Sequence, residues 1–285
     1  MFIKTLFPSS IGLGDYTLPD IVDDALNAGF YGYWFDPVKE FTIPEKYLIS
    51  LIRTKHIVPM GMELPLEFRR DEKTFLEGLE RLGEYASYAS SIGIRRAATW
   101  IVPSHDTLSY RENFALHVER LRKVLDVLLE YNISLGLEFQ GPKSLRAGRR
   151  YWFVHTLDGM MCLLSALDRP NAGVIMDSWH WDLSGAHDFD FGAFENGDQI
   201  TAVHINDAPA GLNEDEYMDL SRELPCSTGI LRIGEFLRGV ESTGCSGPII
   251  VEPFYDRLKE LDVKSSLTRV SRSIDAALME MKRGI

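Results

Sequence analysis

Leu135-Gly136-Leu137-Glu138 is a short apolar run that stops on an acid, and the form recurs three times. Its counterparts are Val174-Ile175-Met176-Asp177, Ala202-Val203-His204 and Ile249-Ile250-Val251-Glu252. Apolar runs this short, bounded by Gly, Asn, Asp or Pro, read as strands buried on both faces. Working outward, the second-half runs cover residues 135–139, 173–176, 200–205 and 248–251, and the first half supplies four more at 2–7, 31–35, 57–64 and 96–102. Helical spacing fills the intervals. Residues 18–28 end at Gly29, 44–55 follow the second run, and 71–92 place Phe75, Leu79, Leu82 and Ala86 on one face before Gly93. A later helix lines up Phe114, Val118, Leu121, Leu125 and Leu128 and ends near Tyr131. Further helices are expected at 156–167, 189–195 and 230–242, and a last one carries Leu267, Val270, Ile274, Leu278 and Met281.

Eight strands, each followed by a helix, predict an α/β fold: a (β/α)8 TIM barrel occupying residues 1–285 as a single domain. The competing architecture is an open, doubly wound sheet. That fold usually carries a Gly-rich phosphate loop after an early strand, and neither GxGxxG nor GxxxxGK[ST] occurs. Gly12-Leu13-Gly14 precedes the first helix without the rest of the motif. No linker or composition break divides the chain.

The 42 acidic and 30 basic residues leave a formal charge of -12, which removes bulk electrostatic support for a nucleic-acid partner. Cys162, Cys226 and Cys245 are odd in number and form no CxxC pair, so neither a disulfide framework nor a thiolate zinc site is expected. The apolar stretch before Pro8 is too short for a signal peptide, and no window reaches the length of a membrane span. These features predict a cytoplasmic protein with no membrane partner.

In a barrel, Glu138, Asp177, His204 and Glu252 fall at the C-terminal strand ends, where active sites are built. One acid at a strand end is more often a helix cap or an ion-pair partner. Four ligand-type residues at four consecutive strand ends are hard to assign to capping. Three carboxylates and an imidazole on one rim repel and desolvate one another unless a cation lies among them, so the set predicts one divalent metal ion. Mixed oxygen and nitrogen donors suit Mn, Co, Zn, Fe or Mg.

At this point the chain resembles a known family. Leu137-Glu138-Phe139, Ile175-Met176-Asp177-Ser178-Trp179-His180, Val203-His204-Ile205-Asn206-Asp207 and Val251-Glu252-Pro253-Phe254 are similar to segments of the sugar isomerase/epimerase group of xylose isomerase-like TIM barrels. The likeness is nearest to inosose isomerases and ketose 3-epimerases, and it is dense over residues 133–256. It implies that Glu138, Asp177, His204 and Glu252 bind the metal, commonly Mn, Co, Mg or Zn. It further implies that Glu138 and Glu252 are catalytic, moving the substrate proton on the two faces of an enediolate, and that His180 hydrogen-bonds a substrate oxygen. Homo-oligomers are common in the group. Asp219-Leu220-Ser221-Arg222 fits a recurring acid-x-x-Arg element and makes Arg222 a candidate substrate contact, with a surface ion pair as its alternative. Cys226-Ser227-Thr228-Gly229 replaces the Pro-Gly-x-Gly of relatives, which leaves substrate identity open.

The implied chemistry is proton transfer beside the carbonyl of a small sugar or polyol-like substrate, giving epimerisation or isomerisation. A dehydratase on the same barrel is the first alternative. An abasic-site endonuclease and a sugar-binding barrel without catalysis are more remote. Trp100, Trp179, Trp181 and Phe254 are candidates for an aromatic wall, with core packing as the rival reading. Arg146, Arg149 and Arg150 form the densest basic cluster, read chiefly as solvated surface.

Overall fold

The computed structural model describes residues 1–185 and 188–283. Its eight main strands are β1 (Phe2–Leu6), β2 (Gly32–Phe35), β3 (Val58–Glu63), β4 (Arg96–Ile101), β5 (Ser134–Phe139), β6 (Ala172–Asp177), β7 (Ile200–Ile205) and β8 (Gly247–Val251). They close into a parallel barrel in the order β1-β8-β7-β6-β5-β4-β3-β2. The principal helices are α1 (Leu18–Ala28), α2 (Glu45–Lys55), α3 (Glu72–Ser91), α4 (Tyr110–Glu130), α5 (Leu157–Leu167), α6 (Ser178–Leu183), α7 (Ile233–Ser242) and α8 (Val263–Arg283). The fold is the expected closed (β/α)8 barrel.

Local chemistry sets the boundaries. Thr17 and Asp20 form a capping box at the start of α1, and Gly29 closes it at φ 92°. Ser109 and Glu112 form the same box ahead of α4. α8 buries Leu267, Val270, Ile274, Ala277 and Met281 against the barrel. Ala277 thus takes the inward place expected of Leu278, which is only partly buried.

Three features depart from the sequence reading. Residues 189–195 do not form an α-helix: a 3-10 segment spans Asp188–Ala193, and the helix following β6 is the short α6, which begins directly on the strand end. Ser104–His105 and Tyr151–Trp152 pair as a small antiparallel sheet over the barrel mouth. The first turns of α4 bury Asn113, His117 and Arg120 rather than a purely apolar face. Arg120 is buried because Nη1 reaches the Phe68 and Arg70 carbonyls and Nη2 pairs with Glu72.

The core has two layers. Outside the barrel, helix faces pack on the outward side chains of the strands. Inside it, Trp34, Met60, Ala98, Ile175, Ala202 and Ile250 form a compact cluster. One indole set among two alanines fills the narrow interior and makes a dry floor beneath the rim.

Candidate metal and proton-transfer site

Strand register delivers the site. Asp177 pairs with His204 across β6 and β7, His204 pairs with Ile250 of β8, and Glu138 pairs with Ile175 of β6. Glu252 follows the last residue of β8. One donor atom from each of Glu138, Asp177, His204 and Glu252 lies within 4.8 Å of the other three. His204 Nδ1 stands 3.1 Å from Glu138 Oε1 and 3.2 Å from Glu252 Oε2. The structure therefore brings all four predicted ligands together.

Nearby residues fix their orientation. Asp177 Oδ1 accepts the Trp179 N–H and caps α6, so this acid is both a helix cap and a member of the cluster. The Asn206 side-chain amide donates to Asp177 Oδ1 at 3.0 Å, while its carbonyl oxygen accepts the Glu252 N–H at 2.9 Å. Arg222 Nη1 donates to Asp177 Oδ2 at 2.9 Å, and Nη2 donates to Asp219 Oδ1 at 2.8 Å.

The electrostatics follow from burial. Burial alone would raise the Asp177 carboxyl, but the Arg222 guanidinium, His180, His204 and the Trp179 N–H together hold the group below its ordinary value. Glu138 is pushed up by burial. Burial opposes charge on His204, yet Glu252 and Glu138 raise it well above the ordinary imidazole value. Glu138 Oε1 and His204 Nδ1 are buried and have no hydrogen-bond partner among the described residues. Two orphaned lone-pair donors facing each other amid carboxylates is the arrangement a divalent cation satisfies, so the donor set fits such an ion.

Glu138, His204 and Glu252 form one wall of a cavity of about 460 Å³, whose lining also includes Trp100, Gln140, Asp219, Leu220, Arg222 and Phe254, while Asp177 lies behind that wall. Trp100 and Phe254 are placed as expected of a wall. Trp179 and Trp181 are not: they are fully buried, with Trp179 beside Tyr217 and Trp181 against Phe191 and Phe236. Arg222 lines the cavity but is no surface residue, being 2% exposed. His180 is fully buried and absent from the lining, with Nδ1 3.3 Å from the Gly141 N–H and Nε2 3.7 Å from Glu138 Oε2. Its ring thus lies beside Glu138 and, at 3.4 Å from Nε2, beside Arg222 Nη2. The basic cluster also divides. Arg146 is buried, donating to the Gly141 and Pro142 carbonyls, whereas Arg149 is exposed and pairs with Asp106.

The altered loop is anchored by Asp207, whose carboxylate accepts the N–H groups of Ala208, Thr228, Gly229 and Leu231. Cys226 adopts φ 60°, the left-handed conformation that favours glycine.

Sequence reasoning missed Glu63. It lines the cavity from the end of β3, and burial followed by the nearby Glu252 charge raises it to about 8. Its signal was present, because Gly61-Met62-Glu63 has the same form as Gly136-Leu137-Glu138.

Comparison with known proteins follows the same lines. An inosose isomerase of Bacillus velezensis is 22% identical over 235 residues, 81% of this chain and 79% of that protein. A 3-dehydroshikimate dehydratase of Pseudomonas putida is 28% identical over 158 residues, 52% of this chain and 24% of that protein. Among solved structures, a xylose isomerase domain protein from Alicyclobacillus acidocaldarius superposes with a TM-score of 0.85 at 25% identity, covering 99% of this chain and all of that one. The IolI protein, solved with a bound zinc atom, superposes with a TM-score of 0.82 at 18% identity over 96% of this chain and 98% of that one. The xylose isomerase-like TIM barrel family matches residues 26–275, and the chain belongs to it.

Proposed function

We propose that this protein is a divalent-metal-dependent isomerase or epimerase of a ketose, an inosose or a related polyhydroxy carbonyl compound. The observation that carries the reading is the approach of both Glu138 and Glu252 to His204 Nδ1, 3.1 and 3.2 Å away, at the wall of the cavity. Glu138, Asp177, His204 and Glu252 would hold the ion. When bound, it would polarise the substrate carbonyl and acidify the neighbouring C–H.

The chain's own groups do the rest. One glutamate carboxylate removes the proton beside the carbonyl, and the other returns one. Delivery to the opposite face of the same carbon is epimerisation, and delivery to the adjacent carbon, with the hydroxyl proton passing to the former carbonyl oxygen, is isomerisation. Asn206 holds Asp177 and the Glu252 backbone in fixed relation, so Glu252 keeps its place beside the ligand set during transfer. Trp100 and Phe254 shield the reacting carbon from water. The inosose isomerase relative supports this class, and the zinc-bound neighbour shares the fold.

The dehydratase relative keeps a second reading in view: loss of a β-hydroxyl from the same deprotonated substrate. Incubating the metal-loaded protein with inososes, ketoses and 3-dehydroshikimate, followed by mass spectrometry and NMR, separates the two. Products of unchanged mass are expected. A product lighter by one water would replace the isomerase reading with the lyase, and no product from any compound would remove both.

A further inference from the structure

The four cluster residues come from β5 to β8, which is one half of the barrel mouth. Among the residues that line the cavity, the other half contributes one ionisable group, Glu63. It stands outside the set of four atoms that converge within 4.8 Å.

Glu63 is held in place by a dedicated arrangement. Trp34 Nε1 donates to Glu63 Oε1 at 2.9 Å, and the indole is 1% exposed inside the barrel. Register sets Trp34 opposite Gly61, with a shift in pairing between Tyr33 and Trp34. A β-bulge of this kind re-aims a side chain. A Cβ at position 61 would lie 2.2 Å from the Trp34 ring, so only glycine lets the indole lie there. Gly61 and Glu63 share one face of β3, and the indole laid over the first therefore reaches the second. One carboxyl oxygen is thus pinned, and the other has no protein partner among the described residues.

Apart from the proposed metal ion, the described lining offers an anionic substrate no unengaged Lys or Arg. Arg222 is the sole Lys or Arg of the lining, and its N–H groups are engaged by Asp177, Asp219 and the Glu252 carbonyl. Arg146 is spent on backbone carbonyls, and Arg69 on Glu67, Thr99 and the Trp100 carbonyl. A phosphate or carboxylate would therefore find no unengaged guanidinium or ammonium group among these residues.

We propose that Glu63 is the specificity-determining residue of this site, its free oxygen binding a hydroxyl of an uncharged polyhydroxy carbonyl substrate within a lining that holds no unengaged Lys or Arg for a phosphate or carboxylate. The substrate class rests on the isomerase reading; the placement of Glu63 does not. A hydroxyl both donates and accepts, so it can serve this carboxyl whether or not the carboxyl carries its proton.

The test compares the metal-loaded parent with Glu63→Gln and Trp34→Phe against inosose, a ketohexose, the ketohexose 6-phosphate and 3-dehydroshikimate. Turnover, calorimetric binding and metal content are measured together. The parent is expected to favour the neutral compounds by at least about 100-fold. Glu63→Gln should raise KM for them about tenfold with a smaller change in kcat, keep the full metal content, and narrow the discrimination against the anions about tenfold. Trp34→Phe should move KM in the same direction by less. A parent that prefers either anion, a Glu63→Gln variant with unchanged KM and selectivity, or loss of metal on that substitution overturns the proposal. If no compound is turned over, the isomerase reading fails, and calorimetry decides for Glu63. Inosose binding weakened tenfold in Glu63→Gln upholds its role, and absence of neutral-ligand binding to the parent ends it.

Discussion

Arg222 Nη1 donates to Asp177 Oδ2 at 2.9 Å, and neither side chain meets solvent. A carboxylate this deep is tolerated because a cation sits on it, and the pair ties the loop after β7 to the end of β6. Breaking such a pair by removing one partner costs far more than the pair contributes, because a charge is left buried. Arg222→Met in metal-free protein is therefore expected to lose about 3–5 kcal/mol in urea unfolding. Arg222→Lys should recover part of that, since one ammonium replaces the charge but not the fork of contacts to Asp177 and Asp219. A loss below about 1 kcal/mol for Arg222→Met would show that the pair does not hold the loop.

The orphaned Glu138 Oε1 and His204 Nδ1 lead to a prediction about metal. Purified protein is expected to carry close to one divalent ion per chain by elemental analysis. Chelation should lower Tm by about 5–10 °C at metal concentrations near 100 times Kd, from the usual mass-action gain of about 2.7 kcal/mol. The raised His204 means that, without metal, a proton occupies the imidazole the ion needs. Metal affinity should accordingly fall as pH falls, because proton and cation compete for one lone pair. A titration showing no ion bound at any pH would remove the metal from the proposed chemistry.

The barrel and the cluster were legible in the sequence for a shared reason. Short apolar runs fix a strand, and the first polar residue after the run falls at its C-terminal end whatever the loops do. Asp177 and His204 could thus be placed without knowing a single contact. Residues carried by loops had no such rule. The burial of Arg222 depends on how residues 206–232 fold back over the mouth, and its N–H pairing with the Pro253 carbonyl is a contact no local pattern announces. The position of the His180 ring likewise depends on α6 starting directly at Asp177. One helical turn carries its ring behind the wall rather than into the cavity. Trp179 and Trp181 turn inward on that same helix, so proximity in sequence to a ligand did not mean exposure to substrate.

Glu40 gives a pH-dependent prediction independent of the site. It is buried, accepts the Leu18 N–H at 2.9 Å, and is raised by burial from 4.5 to about 7. The folded state therefore binds this proton more tightly than the unfolded chain. Its contribution is fully present below the unfolded value of 4.5 and is lost as pH rises toward 7. Glu40→Gln, neutral throughout, should gain on the parent by up to about 3 kcal/mol between roughly pH 4.5 and 8, measured as the difference in unfolding free energy. A pH-independent difference would mean that the buried carboxyl titrates normally.

Glu138 and Glu252 are asked to do separate halves of one reaction, and isotope exchange can tell the halves apart. At saturating metal, Glu138→Gln and Glu252→Gln should each lower kcat by about 10²–10⁴-fold, the usual range for a lost general acid or base, with unchanged circular dichroism. Saturating metal matters because both side chains also belong to the ligand set. In deuterium oxide the two variants should differ. The variant that keeps the abstracting glutamate still removes the substrate proton and returns solvent deuterium to the starting face. It therefore labels substrate without making product. The other variant does neither. Labelling by both variants at equal rates would mean that one carboxylate is not assigned to each face, and retention of near-parental kcat in either would remove that glutamate from proton transfer.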